Sequence, residues 1–433
     1  MNVSPLVAFA GLVTIGLLAM RLPRLPPRYL ASLDATLASG GALVLAGLVL
    51  GPGIDFLNRS LLAALAPVTT LTVGWIGAAF GARLQLRQLR HVPRNAWLVG
   101  TLGAAAAFTA VALGAWLLTR VLPALAAAWT PRVPAVLTLA AAGAVASPGA
   151  VARVARTSGV PPHLIRPLSL AATLETAIGA LLITLPLALH RSPTLVPRAA
   201  LPWLWWLALA GAGGALAAAV FLALARRLPT RVGSGFAWVA TLAFAAGLAY
   251  AAGLSPFAVC AVAAAVIVNR SSHREAIRRI LTGGEPLAYS ILLVVVGSLL
   301  LLPTPWLLVA AAVLTALRIA APWAGVRYAR APLGLTDVPA DIALGTVPQG
   351  GVAVALGLSF VFTYGAQGPT AGDPVLTTIV LGVAGAQLVA SPLMKRALAA
   401  AATRSRAPAL TAPLTPPAAA PELSADTPAE WPQ

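Results

Sequence analysis

The chain has 433 residues, 59% of them hydrophobic and only 9% charged, with a mean hydropathy of +0.89 and a formal charge of +18. That composition excludes a soluble domain, and apolar runs of roughly 17 to 25 residues without two-residue alternation point to spanning helices instead of a strand barrel. A single cysteine, Cys260, excludes an internal disulfide and a cysteine-built metal site.

In chain order, the runs predict spans at 4–20, 29–51, 61–81, 96–119, 133–155, 165–189, 201–225, 232–251, 256–269, 286–302, 304–327, 338–363 and 374–394. The first basic residue, Arg21, follows the first run, so no cleaved leader is expected. Residues 84–91 and the basic amphipathic stretch 270–284 are expected to lie on the membrane surface. Residues 1–400 form the transmembrane domain, and 401–433, rich in Ala, Pro, Thr and Ser, form a disordered cytoplasmic tail.

Thirteen helices place 23 of the 29 Lys and Arg in odd-numbered loops and the C-terminal tail, and 5 in even-numbered loops. This asymmetry puts the N-terminus outside and the C-terminus in the cytoplasm. It also accounts for the positive charge through lipid and topology, with no nucleic acid as partner. Arginine in place of lysine and abundant alanine suit a bacterial chain, hence an inner-membrane protein.

The sixth predicted span carries Glu175, the only acidic residue between Asp55 and Glu275. At 1.5 Å per residue it lies about 15 Å deep, near the midplane. A carboxylate there faces a cavity or a partner and marks an ion or proton path; the plainer alternatives are a protonated, hydrogen-bonded Glu or a structural ion pair. Arg318, in the eleventh span, lies at comparable depth, either paired with Glu175 or snorkelling to the interface.

Two spans carry helix-breaking sequence. The fifth reads Ser147-Pro148-Gly149 and the twelfth Pro348-Gln349-Gly350-Gly351, with 200 residues between the two prolines. Proline removes a helical donor and glycine loosens the backbone, so both spans are expected to unwind within the membrane. Paired breaks in oppositely directed spans point to inverted repeats with two discontinuous crossing helices and a site where the breaks meet; ordinary membrane kinks are the alternative.

With these features, the chain resembles the cation/proton antiporter superfamily of monovalent sodium or potassium/proton antiporters. The resemblance is carried by Ala46–Pro52 (AGLVLGP), Leu71–Arg90, Ala150–Gly159 (AVARVARTSG), Leu170–Leu182 and Gly345–Leu356 (GTVPQGGVAVAL). It implies an all-α, multi-pass, homodimeric transporter with no cofactor. It also implies an ion site at the adjacent pair Glu175-Thr176, where this chain has Thr in place of the family's Asp. Gln349 stands where a basic residue is usual, and Arg318 matches an arginine of some branches.

The resulting expectation is a non-enzymatic secondary transporter exchanging Na⁺ or K⁺ for protons by alternating access. Glu175, Thr176, Ser147 and carbonyls freed at the breaks would supply oxygen ligands, with no metal beyond the transported ion. Transport or channelling of another solute, and a non-transporting scaffold or sensor, are the other readings.

Overall fold

The computed structural model describes residues 5–21, 40–90, 93–157, 162–184, 186, 202–227, 231–271, 274–301, 304–335, 339–364 and 372–406. Among these the protein is all-α. Six helices are long and apolar enough to cross a membrane, and shorter apolar helices accompany them. The chain is a multi-pass membrane protein.

The helices fall into two bundles. In the first, α1 (Pro5–Arg21), α2 (Ala42–Leu48), α3 (Arg59–Ala64) and α4 (Ala66–Gly81) join α11 (Pro202–Arg227), α12 (Arg231–Ala251), α13 (Pro256–Arg270) and α14 (Arg274–Leu299). Between α4 and the second bundle lies the short α5 (Leu86–Leu89). The second bundle contains α6 (Arg94–Val121), α7 (Pro123–Ala128), α8 (Arg132–Ala144), α9 (Pro148–Thr157), α10 (Pro162–Leu182), α15 (Pro305–Ala329), a 3₁₀ segment (Ala340–Thr346), α16 (Gly351–Tyr364) and α17 (Asp373–Arg406). α16 packs on α8 and α17 within its own bundle and on α4, α13 and α14 of the other, so it is the seam between them.

Small residues set the spacing inside the first bundle. Gly47 of α2 and Gly297 of α14 lie backbone to backbone, and a Cβ at either would strike main-chain atoms of the other helix. Without a hydrophobic drive between helices in lipid, such close van der Waals packing carries much of their association. Gly77 and Gly81 of α4 play the same part against Phe257 and Ala261 of α13.

Two sequence expectations change. The surface stretch 270–284 and the tenth span were expected as separate pieces, but α14 runs unbroken from Arg274 to Leu299 with Pro286 inside it. Arg274, Glu275, Arg278 and Arg279 are exposed and Ile277 and Leu281 buried, so the amphipathic face is present as the first turns of a spanning helix. Gly284 allows the continuation by lying against the Trp75 ring, where a side chain would not fit. At the other end of the sequence, α17 extends to Arg406, past the boundary expected at 401; residues 407–433 lie outside the described set.

Candidate functional site

The site forms where two helices stop in mid-bundle. α8 ends at Ala144 because Pro148 cannot donate and its ring clashes with the carbonyl four residues back. Val145 turns extended (φ −81°, ψ 128°), and α9 restarts with Pro148 as its first residue, where a missing N–H costs nothing. The Ser147 hydroxyl caps the new helix, accepting from Ala150 N at 3.3 Å. The second interruption spans 347–350: a 3₁₀ segment precedes it and α16 begins at Gly351.

The two interruptions touch. Ser147 N donates to Pro348 O at 2.9 Å, and a Cβ on Gly350 would lie 2.6 Å from Ser147 Oγ, so only glycine allows this approach.

A helix that ends inside a bundle leaves carbonyls without intrahelical partners, and burial makes each one costly. Here side chains from elsewhere donate to Ala142 O, Val145 O, Ala146 O and Thr346 O. Gln349 Nε2 donates to Ala142 O at 2.8 Å and to Val145 O at 3.3 Å. Arg318 Nη2 donates to Val145 O at 2.8 Å and to Thr346 O at 3.4 Å, so one guanidinium ties both interruptions together. The Thr176 hydroxyl donates to Ala146 O, and is also 2.7 Å from Ala172 O on its own helix.

Glu175 differs from these neighbours. It is 3% exposed on α10, and among the described residues its Oε1 has no hydrogen-bond partner. Space for that oxygen comes from Gly103 of α6, where a Cβ would stand 2.7 Å from it. The Thr346 side chain lies against the carboxyl group, and the charge of Arg318 acts on it, but among the described residues no ion pair joins Glu175 to Arg318. On another side of Arg318 and Gln349 lies a cavity of about 40 Å³, lined also by Thr315, Thr378 and Gly143, with room for water.

Compared with solved structures, the chain superposes on the sodium/proton antiporter MjNhaP1 from Methanocaldococcus jannaschii with a TM-score of 0.56, at 15% identity, over 94% of this chain and 98% of that one. The fold is that of a sodium/proton antiporter. No family model matches the sequence, and no curated protein does.

Within this antiporter fold, Glu175, Thr176, Ser147, Pro148, Gly149, Pro348, Gln349, Gly350 and Arg318 all belong to α10, α15, the first turn of α9 or the two interruptions. Their roles are not alike. The Thr176 hydroxyl donates to a carbonyl and the Ser147 hydroxyl caps α9, and each oxygen keeps lone pairs beyond those bonds. The carbonyls of Ala142, Val145 and Ala146 likewise carry donors already. Arg318 is 5% exposed and held by main-chain oxygens, which rules out snorkelling to an interface. Gly103 and Thr346 were not anticipated. A glycine in an alanine-rich helix and a threonine before a proline carry no sequence signal that separates them from ordinary packing.

Proposed function

We propose that this chain is a secondary antiporter that exchanges a monovalent cation, Na⁺ or K⁺, for protons by alternating access, with Glu175 as the shared carboxylate. The observation that carries the reading is the partnerless oxygen of a buried Glu175 beside two interrupted helices whose carbonyls are satisfied by other side chains. The arrangement separates two jobs. Gln349, Arg318 and Thr176 keep the interruptions open as structure, and the carboxylate is left to change its occupant.

A proton on Glu175 neutralises it; a desolvated monovalent cation does the same through charge, with Thr346 as a neighbouring oxygen and water completing the shell. With one carboxylate at the site, one proton moves per cation and the exchange is electroneutral.

The same proposal includes thirteen spans arranged as inverted repeats, an outside N-terminus, a cytoplasmic C-terminus, a homodimer in the bacterial inner membrane, and a separate tail after α17. The basic-residue asymmetry supports the orientation, and the sodium/proton exchange of the similarly folded protein supports the ion class.

The test is proton movement across inverted vesicles on adding Na⁺, K⁺ or Li⁺. At least one cation should discharge a pre-formed pH gradient, and Glu175→Gln should abolish the response while the protein remains in the membrane. A stable wild-type protein that answers to none of the three would favour another solute or a non-transporting scaffold. A stable Glu175→Gln protein with full exchange would refute the role given to the carboxylate.

A further inference from the structure

A second buried carboxylate lies at the start of the last helix, on a different element from Glu175. Asp373 is the first residue of α17; its side chain is 0% exposed, and Arg59 of α3 donates to its Oδ2. Its Oδ1 has no partner. Arg59 is different in kind, with 48% of its side chain exposed, so its guanidinium has water at hand whenever it leaves. The pair joins the two bundles, because α3 belongs to the first and α17 to the second. Two more polar contacts cross between bundles at the same end. Leu301 N, just beyond α14, donates to Thr377 Oγ1 at 3.2 Å, and the hydroxyls of Ser255, before α13, and Ser359 of α16 are 3.4 Å apart.

We propose that Asp373 is a receptor for a guanidinium group, occupied here by Arg59, and that this contact is the latch that holds the two bundles closed at this end. The inference rests on the exchange reading only for what the latch controls; the contact itself is tested without transport. When the bundles separate here, Arg59 passes to water and Asp373 becomes reachable from the adjoining aqueous phase.

The test uses full-length protein in detergent with Cys260→Ala, which removes the one native thiol, and Ser359→Cys as reporter, a position that is 1% exposed. Labelling by a membrane-impermeant maleimide should be slow in this background and rise at least several-fold on Arg59→Ala and on Asp373→Asn. Millimolar guanidinium should slow it again in Arg59→Ala but not in Asp373→Asn, since only the former keeps the receiving carboxylate. Equal labelling in all three proteins, or guanidinium protection in both variants, overturns the proposal. Should Arg59→Ala fail to insert, the pair Arg59→Cys with Asp373→Cys and native Ser359 decides. Oxidation should then arrest exchange and reduction restore it, and exchange that is indifferent to oxidation of a fully cross-linked protein overturns the latch. Because labelling needs no ion gradient, a latch that fails and an exchange activity that fails give different results.

Discussion

Two carboxylates are buried among the described residues, and each has an arginine near it, but the two arrangements differ in which partner is fixed. At Asp373 the arginine binds the carboxylate directly and is itself half in water. At Glu175 the arginine is buried and its Nη2 donates to Val145 O and Thr346 O, while among the described residues its Nε and the carboxylate Oε1 are both without a partner. The first pair is a contact that can open because its cation has somewhere to go. In the second the cation is held by main-chain oxygens, which under the proposed exchange leaves the carboxylate as the group that changes its occupant.

That difference predicts opposite outcomes for removing either member of the Glu175 region. The largest effect on activity is Glu175→Gln, which should take cation-dependent proton movement to background and leave thermal stability near wild type, because no ion pair is lost. Arg318→Leu should instead act on stability, by about 3–5 kcal/mol, since it strips the donors from carbonyls of both interruptions and leaves the buried carboxylate without its nearby positive charge. Combining it with Glu175→Gln separates the two causes. If Arg318 serves mainly the carbonyls, the double variant stays as unstable as Arg318→Leu in a detergent melting assay. Recovery to wild-type melting would make Arg318 a partner of Glu175 first and a helix cap second.

Thr176→Val is a smaller break in the same frame. It removes the donor to Ala146 O at nearly constant shape, and an orphaned buried acceptor costs about 1–3 kcal/mol. The melting temperature should fall while the cation preference in the vesicle assay stays the same; a changed preference would give Thr176 a place in the ion's shell.

Gly103→Ala tests the space on the far side of the carboxylate. The added methyl lies 2.7 Å from Oε1, and overpacking of this kind costs about 1–3 kcal/mol at most sites, less here because the end of a flexible side chain can shift. The expected result is a lower apparent cation affinity with little change in melting, read from the cation dependence of the exchange rate. The smallest effect is expected from truncation after Arg406, which removes an Ala- and Pro-rich stretch with no apolar pattern; membrane level and exchange should match the full chain. A large loss of membrane-inserted protein would show that the tail docks.

What could be read in advance follows from what kind of signal each feature leaves. Glu175 stood out because a charge in a long apolar run is costly wherever the run folds, and the two interruptions stood out because Pro and Gly act on their own backbone. Arg318 could be named but not assigned, since its alternatives differ only in three-dimensional reach. Gly103, Thr346 and the true work of Gln349 and Thr176 depend on which carbonyls two distant breaks leave exposed, and one-dimensional order does not contain that pairing. The joined α14 was misjudged for a related reason. Pro286 and the change from basic to apolar sequence look like a boundary, and the packing of Gly284 on Trp75 within the continuous helix is a contact that sequence order does not contain.

The main-chain bond from Ser147 to Pro348 has a kinematic consequence. Two severed rods pinned at their cut ends cannot slide past each other without losing the pin, and Gly350 leaves no slack between them. What remains is turning about that point, with α8 and α9 on one side and the 3₁₀ segment and α16 on the other swinging as arms of a common joint. Glu175, next to the joint, then travels little while the ends of the arms travel far. Under the proposed exchange, a carboxylate near the pivot would meet first one face of the membrane and then the other without being carried across it.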